Sequence, residues 1–304
     1  MTNIKTFIRQ RPAFTYFALT FAISWGGVLL AAGGPGGFPV SDSSPEFQAL
    51  LPFVVLAMVA GPVVSGILMI ALDAGRAGYR DFFARLRTWR VGAAWYAAAL
   101  LIAPSTVLAT LLALSTFSAN FLPEILTAQD KVAILLPGLL AGLTAGLFEE
   151  TGWTGFAIPR LRSRYSIVAT GLIVGFLWGL WHFIVAFWGS GAPSGMFSPL
   201  ILLNQVAFYV GVLPAYRVLM VWVYDRTTSL LVTMLMHASL TAFTTFIFAP
   251  STTAITAGER LIYHLALSGV LWIAVGAVVA TSRGRLDHYA KPIDRKNQIA
   301  DFKV

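Results

Sequence analysis

The sequence predicts an all-α membrane protein, a polytopic bundle of about eight transmembrane helices that forms a single integral membrane domain over residues 1–304. Of its 304 residues, 57% are hydrophobic and only 11% are charged, whereas soluble domains carry about 25% charged residues. The apolar residues fall in runs of about 20, which is the length that a helix needs to cross the hydrocarbon core. A transmembrane β-barrel would instead show short segments of alternating hydrophobicity, so the run length favours helices.

Eight apolar runs follow one another along the chain. The first comes after a basic amino-terminal segment and is longer than the apolar part of a cleaved signal peptide, so we interpret it as a retained membrane helix. The second contains Gly61-Pro62, where we expect a kink, and the sixth contains Pro214, where we expect a bend. In residue numbers, the predicted spans are approximately 13–33, 47–72, 93–117, 132–159, 167–188, 199–222, 229–248 and 261–281.

Two segments outside these spans are strongly basic. Residues 73–90 contain five arginines, and Phe82, Phe83 and Leu86 recur among them at helical spacing. Because a basic amphipathic helix binds in the interface of a membrane, we expect this connector to lie on the membrane surface. Residues 282–304 form a polar and basic tail, which we assign to the cytoplasm.

The basic residues also predict how the chain is oriented. Cytoplasmic loops of membrane proteins carry an excess of Lys and Arg. With both termini in the cytoplasm, all but two of the 21 Lys and Arg residues fall on that side, including Arg217 in the loop between spans six and seven, and only Lys131 and Arg260 fall on the other. We therefore predict a multi-pass protein of the cytoplasmic (inner) cell membrane, and we attribute the net charge of +8 to this topology rather than to a nucleic-acid partner.

Three of the runs carry residues that are costly in a membrane. Glu149 and Glu150 lie in the fourth run, His182 in the fifth and His237 in the seventh. A charged side chain at the bilayer centre costs about 2.5–3.5 kcal/mol on insertion scales, and no apolar run is predicted to offer a Lys or Arg partner. At 1.5 Å per residue, the Glu pair lies ~15 Å from the cytoplasmic end of its span, His237 ~12 Å and His182 ~22 Å. We therefore expect these residues to meet in one buried hydrolytic site.

Other residues in the spans receive structural interpretations. Trp178 and Trp181 are interpreted as packing or interfacial residues, which is the usual role of tryptophan in a membrane helix. Asn204 and Gln205 are expected to form hydrogen bonds between helices. The chain contains no cysteine, which rules out a disulfide, a thiol nucleophile and a thiolate metal site.

At the Glu and His residues the chain resembles the CPBP family of intramembrane proteases, which includes type II CAAX prenyl endopeptidases and bacteriocin-processing and abortive-infection-like proteins. Glu149–Gly155 is similar to the family's Glu-Glu-xxx-Arg motif, and Pro159–Leu161 fits its Pro-x-Leu continuation. Trp178–His182 is similar to the second motif, an aromatic residue four positions before a His. His237–Thr241 lies where the family has His-xxx-Asn or Asp. The core family region is about 130–250.

The resemblance implies an intramembrane endopeptidase that acts, within the lipid bilayer, on a membrane-associated or peptide substrate. It implies that Glu149 is the general base, that Glu150 tunes its neighbour, that His182 positions the water, and that His237 with Thr241 faces the oxyanion. Two mechanisms stay open: a metal-free glutamate mechanism, and one in which Glu149, His182 and His237 ligate zinc and leave one position for water.

Two positions depart from the family motifs and leave other functions open. Thr154 stands in place of the motif Arg, which weakens the prediction of CAAX-type specificity, and Thr241 stands in place of Asn or Asp. One alternative is therefore a catalytically weak immunity or scaffold protein of the same fold. Intramembrane Glu and His also form proton relays, so the second alternative is a proton-coupled transporter. The combination of motifs favours the protease.

Overall fold

The computed structural model describes residues 4–38, 44–190, 198–251 and 255–282, and eight of its helical segments are long and apolar enough to cross a membrane. The predicted eight-helix bundle is confirmed, and the described residues contain no β-strand. The predicted cytoplasmic tail lies, apart from its first residue, outside the described residues. The helices are α1 (Ile4–Gln10), α2 (Pro12–Ala32), α3 (Pro45–Leu86), α4 (Ala93–Ser115), α5 (Glu124–Thr127), α6 (Val132–Gly152), α7 (Ile158–Arg162), α8 (Ile167–Gly189), α9 (Pro199–Val206), α10 (Leu213–Thr227), α11 (Leu230–Ala242) and α12 (Ala257–Ser282).

Serine side chains begin four of these helices. The hydroxyl oxygens of Ser44, Ser166, Ser198 and Ser229 each accept a hydrogen bond from the backbone N–H three residues further on, at the starts of α3, α8, α9 and α11. A side-chain cap of this kind satisfies one of the N–H groups that a helix start leaves without an internal partner. These caps therefore fix where four of the predicted spans begin.

The second predicted span and the basic connector that follows it are two helical pieces joined at a kink. Helix α3 continues through the basic connector, and its only non-helical torsions lie at Gly75, with φ 54° and ψ −135°. The backbone keeps helical torsions at Gly61-Pro62, where we had expected the kink. Glycine adopts positive φ at little steric cost, so the chain changes direction at Gly75 and the connector forms a second helical piece.

Three spans contain a π-helical segment. Trp153–Ala157 joins α6 to α7, Ala207–Val212 joins α9 to α10, and Phe243–Ile247 ends α11. The second of these lies just before Pro214, whose ring nitrogen cannot donate a hydrogen bond to the preceding turn. Since π-helical turns are frequent at functional sites, it is notable that the first follows directly on the Glu pair.

The first π-helical segment is held by an arginine from the connector. Arg85 donates hydrogen bonds to the carbonyl oxygens of Gly155 at 2.8 Å and Thr154 at 3.4 Å, and to the hydroxyl of Tyr224 at 3.0 Å. Its side chain is buried. The prediction that this connector lies on the membrane surface is therefore wrong for Arg85, which satisfies carbonyl groups inside the bundle.

A row of glycines brings α6 against α11. A Cβ atom added at Gly142 would lie 2.4 Å from the carbonyl oxygen of Ala238, and one at Gly146 would lie 2.3 Å from that of Met234. Gly138 continues the row one turn earlier. Small residues at four-residue spacing allow membrane helices to approach closely, so this row sets the distance between the helix of the Glu pair and the helix of His237.

A second row of glycines brings α8 against α10. Gly171 and Gly175 contact Val218 and Pro214, and a Cβ atom at either position would lie 2.6 Å from the Cα of its neighbour. Gly179 meets the carbonyl oxygen of Tyr209. The helix that carries His182 is thus held against span six, independently of the contact between α6 and α11.

The two ends of the bundle differ in their polar contacts. At one end, here called the basic end, Arg160 pairs with Asp73 at 2.9 Å and Arg162 pairs with Asp225 at 2.7 Å. These pairs join α3, α7 and α10.

The other end, here called the distal end, is joined by hydrogen bonds in which Glu259 accepts from Asn120 and Ser118. The predicted interhelical bonds are also confirmed, because Asn204 donates to the carbonyl of Ala257 at 2.8 Å and Gln205 to that of Ala186 at 2.9 Å.

Candidate active site

The four residues singled out in the apolar runs lie together inside the bundle. Oε2 of Glu149 is 3.9 Å from Nε2 of His182 and 3.8 Å from Nε2 of His237. Oε1 of Glu150 is 2.7 Å from Nδ1 of His237. The glycine rows described above bring α6, α8 and α11 close enough for these contacts, so the site depends on backbone packing as much as on the polar residues.

Glu150 has a charged partner that the sequence analysis placed elsewhere. Nη1 of Arg217 donates to Oε1 of Glu150 at 2.8 Å and to Oε2 at 2.9 Å. Both side chains are fully buried. The prediction that no apolar run offers a partner is wrong. Arg217 lies inside span six, both in its predicted bounds 199–222 and in the observed Pro199–Thr227, although its charge was counted with the following loop.

Trp178 links the arginine to the other carboxylate. The guanidinium of Arg217 lies over the Trp178 ring, 4.2 Å from its centroid, at a distance where a cation is attracted to the π face. The indole N–H of Trp178 donates to Oε2 of Glu149 at 2.8 Å, and that of Trp153 donates to the same oxygen at 3.4 Å. Trp178 thus orients a carboxylate, and its interpretation as a packing residue was incomplete.

The two carboxylates differ in how many donors they meet. Glu150 accepts from Arg217, from His237 and, through a short contact, from the hydroxyl of Thr154. Those donors occupy both of its oxygens, and Glu150 lines neither of the two cavities at the site. Glu149 lines both cavities. The geometry therefore separates a carboxylate that faces open space from one that is enclosed by donors.

Two cavities meet at Glu149. The larger, of about 600 Å³, is mostly apolar and runs between α3, α6 and α8; the smaller, of about 250 Å³, extends towards α11. His182, Tyr209 and Thr241 line both of them. The Tyr209 ring stacks on His182 with ring centroids 5.8 Å apart, which limits how the imidazole can turn.

The chain is similar in sequence to known proteases. Residues 131–243 match the family described as "Type II CAAX prenyl endopeptidase Rce1-like". Over these residues the chain is similar to the CPBP family of intramembrane proteases. The chain is also similar to "CAAX prenyl protease 2" of Methanococcus maripaludis, with 22% identity over 266 residues, which cover 87% of this chain and 92% of the relative. The resemblance predicted from the motifs is confirmed, and the matched region contains Glu149, His182 and His237.

The predicted zinc ligands do not form a metal site as they stand. In a tetrahedral zinc site with bonds of about 2.0–2.1 Å, two ligand atoms lie about 3.4 Å apart, whereas Oε2 of Glu149 lies 3.9 and 3.8 Å from the nearest nitrogens of His182 and His237. That oxygen already accepts from two indoles. Among the residues that the structure describes, no group of three His, Asp or Glu side chains is placed to hold a metal ion.

Sequence reasoning missed two residues that shape the site. Arg217 could have been found, because it lies between the apolar residues Val212–Tyr216 and Val218–Val223, inside the predicted bounds of span six. Tyr209 carried no such signal, since one tyrosine in an apolar run is as common at a helix interface as at an active site. Only the fold shows that it stacks on His182.

Proposed function

We propose that this protein is an endopeptidase that hydrolyses a peptide bond of a membrane-associated substrate with a water activated by Glu149. The observation that carries the proposal is the division between the two carboxylates. Glu150 is saturated by donors and enclosed, so it cannot take a proton without losing those bonds. Glu149 lines both cavities and faces both imidazoles, as a general base must.

The attacking water is held between Glu149 and His182. Their closest atoms are 3.9 Å apart, which is too far for a direct hydrogen bond and suits a bridge by one water molecule. The side chain of His182 is 30% exposed, so its ring reaches the cavity. Stacking by Tyr209 keeps Nε2 directed at the carboxylate.

The reaction then follows from the positions of these groups. Glu149 takes a proton from the water while the water oxygen forms a bond to the carbonyl carbon of the substrate. Nε2 of His237 in its protonated form donates to the resulting oxyanion, and Thr241 lines the same cavity. As the C–N bond breaks, the proton held by Glu149 passes to the leaving amine, which regenerates the carboxylate.

Glu150 acts in this scheme as a positioning residue. By accepting from Nδ1 of His237 at 2.7 Å, it directs Nε2 of that ring towards the cavity, as the carboxylate of a catalytic triad orients its histidine. Arg217 and Thr154 fix Glu150 in turn. This arrangement supports the catalytic assignments implied by the family motifs, although Thr154 replaces the motif Arg.

The larger cavity indicates the kind of substrate. Its walls are apolar side chains, including Leu50, Val54 and Met58, and it leads to Glu149 at one end. An apolar cavity with a few convergent polar groups is the common form of a ligand site. We propose that it holds an apolar or lipidated part of the substrate while the scissile bond lies against Glu149.

Cleavage assays on purified protein in lipid bilayers test this function. We would compare a farnesylated CAAX peptide, chosen because the archaeal relative is named a CAAX prenyl protease, with its unmodified form. Glu149→Gln keeps the shape of the side chain but accepts a proton poorly, so we expect hydrolysis to be lost with thermal stability unchanged. The exposed Glu124→Gln is the matched control and should cleave like the wild type. Equal cleavage by Glu149→Gln and the wild type would refute the assignment.

A further inference from the structure

Tyr209 lies on the π-helical segment Ala207–Val212, which contacts both α8 and α12. Its neighbour Val210 is exposed on the outer surface of the bundle, whereas Tyr209 lines both cavities at Glu149. π-helical turns are frequent at functional sites. This segment thus brings one tyrosine ring to the place where the proposed reaction occurs.

The backbone of this segment is held by two helices. Gly179 of α8 meets the carbonyl oxygen of Tyr209 so closely that a Cβ atom at Gly179 would clash with it. From α12, the indole N–H of Trp272 donates to the carbonyl oxygen of Gly211 at 3.1 Å. A side chain on a backbone fixed in this way is in place before substrate binds, which is what a catalytic hydrogen-bond donor requires.

The ring of Tyr209 is fixed as well, but its hydroxyl has no partner in the protein. The ring stacks on His182 with 13° between the ring planes, and within the part of the chain that the structure describes the hydroxyl forms no hydrogen bond. The hydroxyls of Tyr16 and Tyr263 also have no partner there, but these residues are buried and line neither cavity. Because a tyrosine hydroxyl inside a protein usually finds a hydrogen-bond partner, that of Tyr209 is left for a ligand in the cavity.

The smaller cavity contains the other groups that face the oxyanion in the proposed reaction. Tyr209 shares it with His237 and Thr241. Since Nδ1 of His237 is engaged by Glu150, only Nε2 of that ring is free to donate to an oxyanion. A carbonyl oxygen accepts more than one hydrogen bond, and tyrosine is among the side chains that serve as oxyanion donors.

We propose that the hydroxyl of Tyr209 donates a hydrogen bond to the carbonyl oxygen of the scissile bond, and that this bond strengthens as that oxygen becomes the oxyanion. The inference rests on the proposed function for the reaction itself. Tyr209 keeps its proton throughout, and Glu149 is still the group that takes a proton from the water. Tyr209 is therefore a catalytic residue, in addition to carrying the ring that orients His182.

Tyr209→Phe tests the hydroxyl separately from the ring, because phenylalanine keeps the stacking on His182. In the cleavage assay we expect kcat to fall on the order of 10²-fold, the usual effect of removing one oxyanion donor, with KM unchanged. Tyr263→Phe removes a buried hydroxyl that lines neither cavity; it is the matched control and should cleave like the wild type. Both variants should keep the thermal stability of the wild type. A wild-type kcat in Tyr209→Phe would overturn the inference, since the ring alone would then suffice.

Binding of a peptide analogue with a phosphinate in place of the scissile amide gives a second readout that needs no turnover. Its tetrahedral anionic group resembles the oxyanion, so Tyr209→Phe should weaken its binding by about the same factor as kcat. Affinity for the uncleaved peptide, measured with Glu149→Gln present, should stay unchanged. Equal losses of affinity for the analogue and the peptide, or no loss for either, would overturn the inference. Wild-type protein that cleaves no peptide would contradict the proposed function, whereas Tyr209→Phe protein that matches an active wild type contradicts this inference alone.

Discussion

Replacing Arg217 by Met removes the positive charge from a pair that is fully buried on both sides. The arginine donates two hydrogen bonds to Glu150, at 2.8 and 2.9 Å, and lies 4.2 Å above the Trp178 ring. Hydrogen bonds to charged groups contribute about 1.5–3 kcal/mol each, but they are not additive within one pair. Breaking a buried ion pair costs about 3–5 kcal/mol because the other charge is left uncompensated, and we expect a loss of that size for Arg217→Met.

A double-mutant cycle separates the loss of the pair from the loss of packing. Glu150→Gln alone leaves the guanidinium buried without its counter-charge, so we expect it to cost about as much as Arg217→Met, roughly 3–5 kcal/mol. Together the two changes leave no unpaired charge, and their combined cost should fall short of the sum by about 2–3 kcal/mol, the upper range for residues in contact.

The cycle is measured by equilibrium unfolding in mixed detergent micelles, followed by tryptophan fluorescence, to which Trp178 contributes directly beneath the guanidinium. Arg226→Met, which removes an exposed arginine from the end of the same helix, is the control and should change stability by less than about 0.5 kcal/mol. If the losses of stability in Arg217→Met and Glu150→Gln were strictly additive, Arg217 would not bind Glu150 as described.

Three further predictions address the same region. Thr154→Arg, which restores the family motif, should destabilise the protein by crowding a second guanidinium against Glu150, and combining it with Arg217→Met should recover stability; no recovery would mean that the two positions are not interchangeable. Gly152→Ala should lower the free energy of unfolding by about 1–3 kcal/mol through overpacking, since its Cβ would lie 2.2 Å from the hydroxyl of Tyr16. Gly269→Ala, which has open space around it, should leave the free energy of unfolding unchanged in the same assay. In the metal-free glutamate mechanism, chelator-treated protein keeps its activity, and His182→Ala loses activity while its zinc content by elemental analysis stays unchanged. A parallel loss of activity and zinc in His182→Ala would favour the zinc mechanism.

The sequence predicted the spans well because hydropathy and run length follow directly from the thickness of the bilayer. Arg217 was counted with the loop after span six, although it lies within the predicted bounds 199–222 and apolar residues flank it on both sides. A single buried charge is compatible with an apolar run when its partner lies on another helix. That partner cannot be identified from one sequence without knowing which helices are neighbours.

The meeting of Glu149, Glu150, His182 and His237 was predictable because each is costly in a membrane and the costs are reduced when the residues bind one another. Their individual contacts were not predictable. Which carboxylate is enclosed depends on a rotation of about 100° between adjacent helix positions and on where α10 packs. Likewise, Arg85 is buried because it donates hydrogen bonds to carbonyl groups of the π-helical segment, and no residue pattern predicted that segment.

The two glycine rows divide the bundle into two helix pairs, α6 with α11 and α8 with α10. Within the first pair Glu150 binds His237, whereas the bonds from Glu150 to Arg217 and from Glu149 to Trp178 cross between the pairs. The carboxylates of Glu149 and Glu150 therefore make the contacts that fix one helix pair to the other. A bilayer thinner or thicker than the bundle tilts its helices, and any sliding of one pair along the other strains these crossing bonds first. We therefore expect the thickness of the host membrane to affect the geometry of the site, and lipid chain length to change how well Glu149, the proposed base, is aligned.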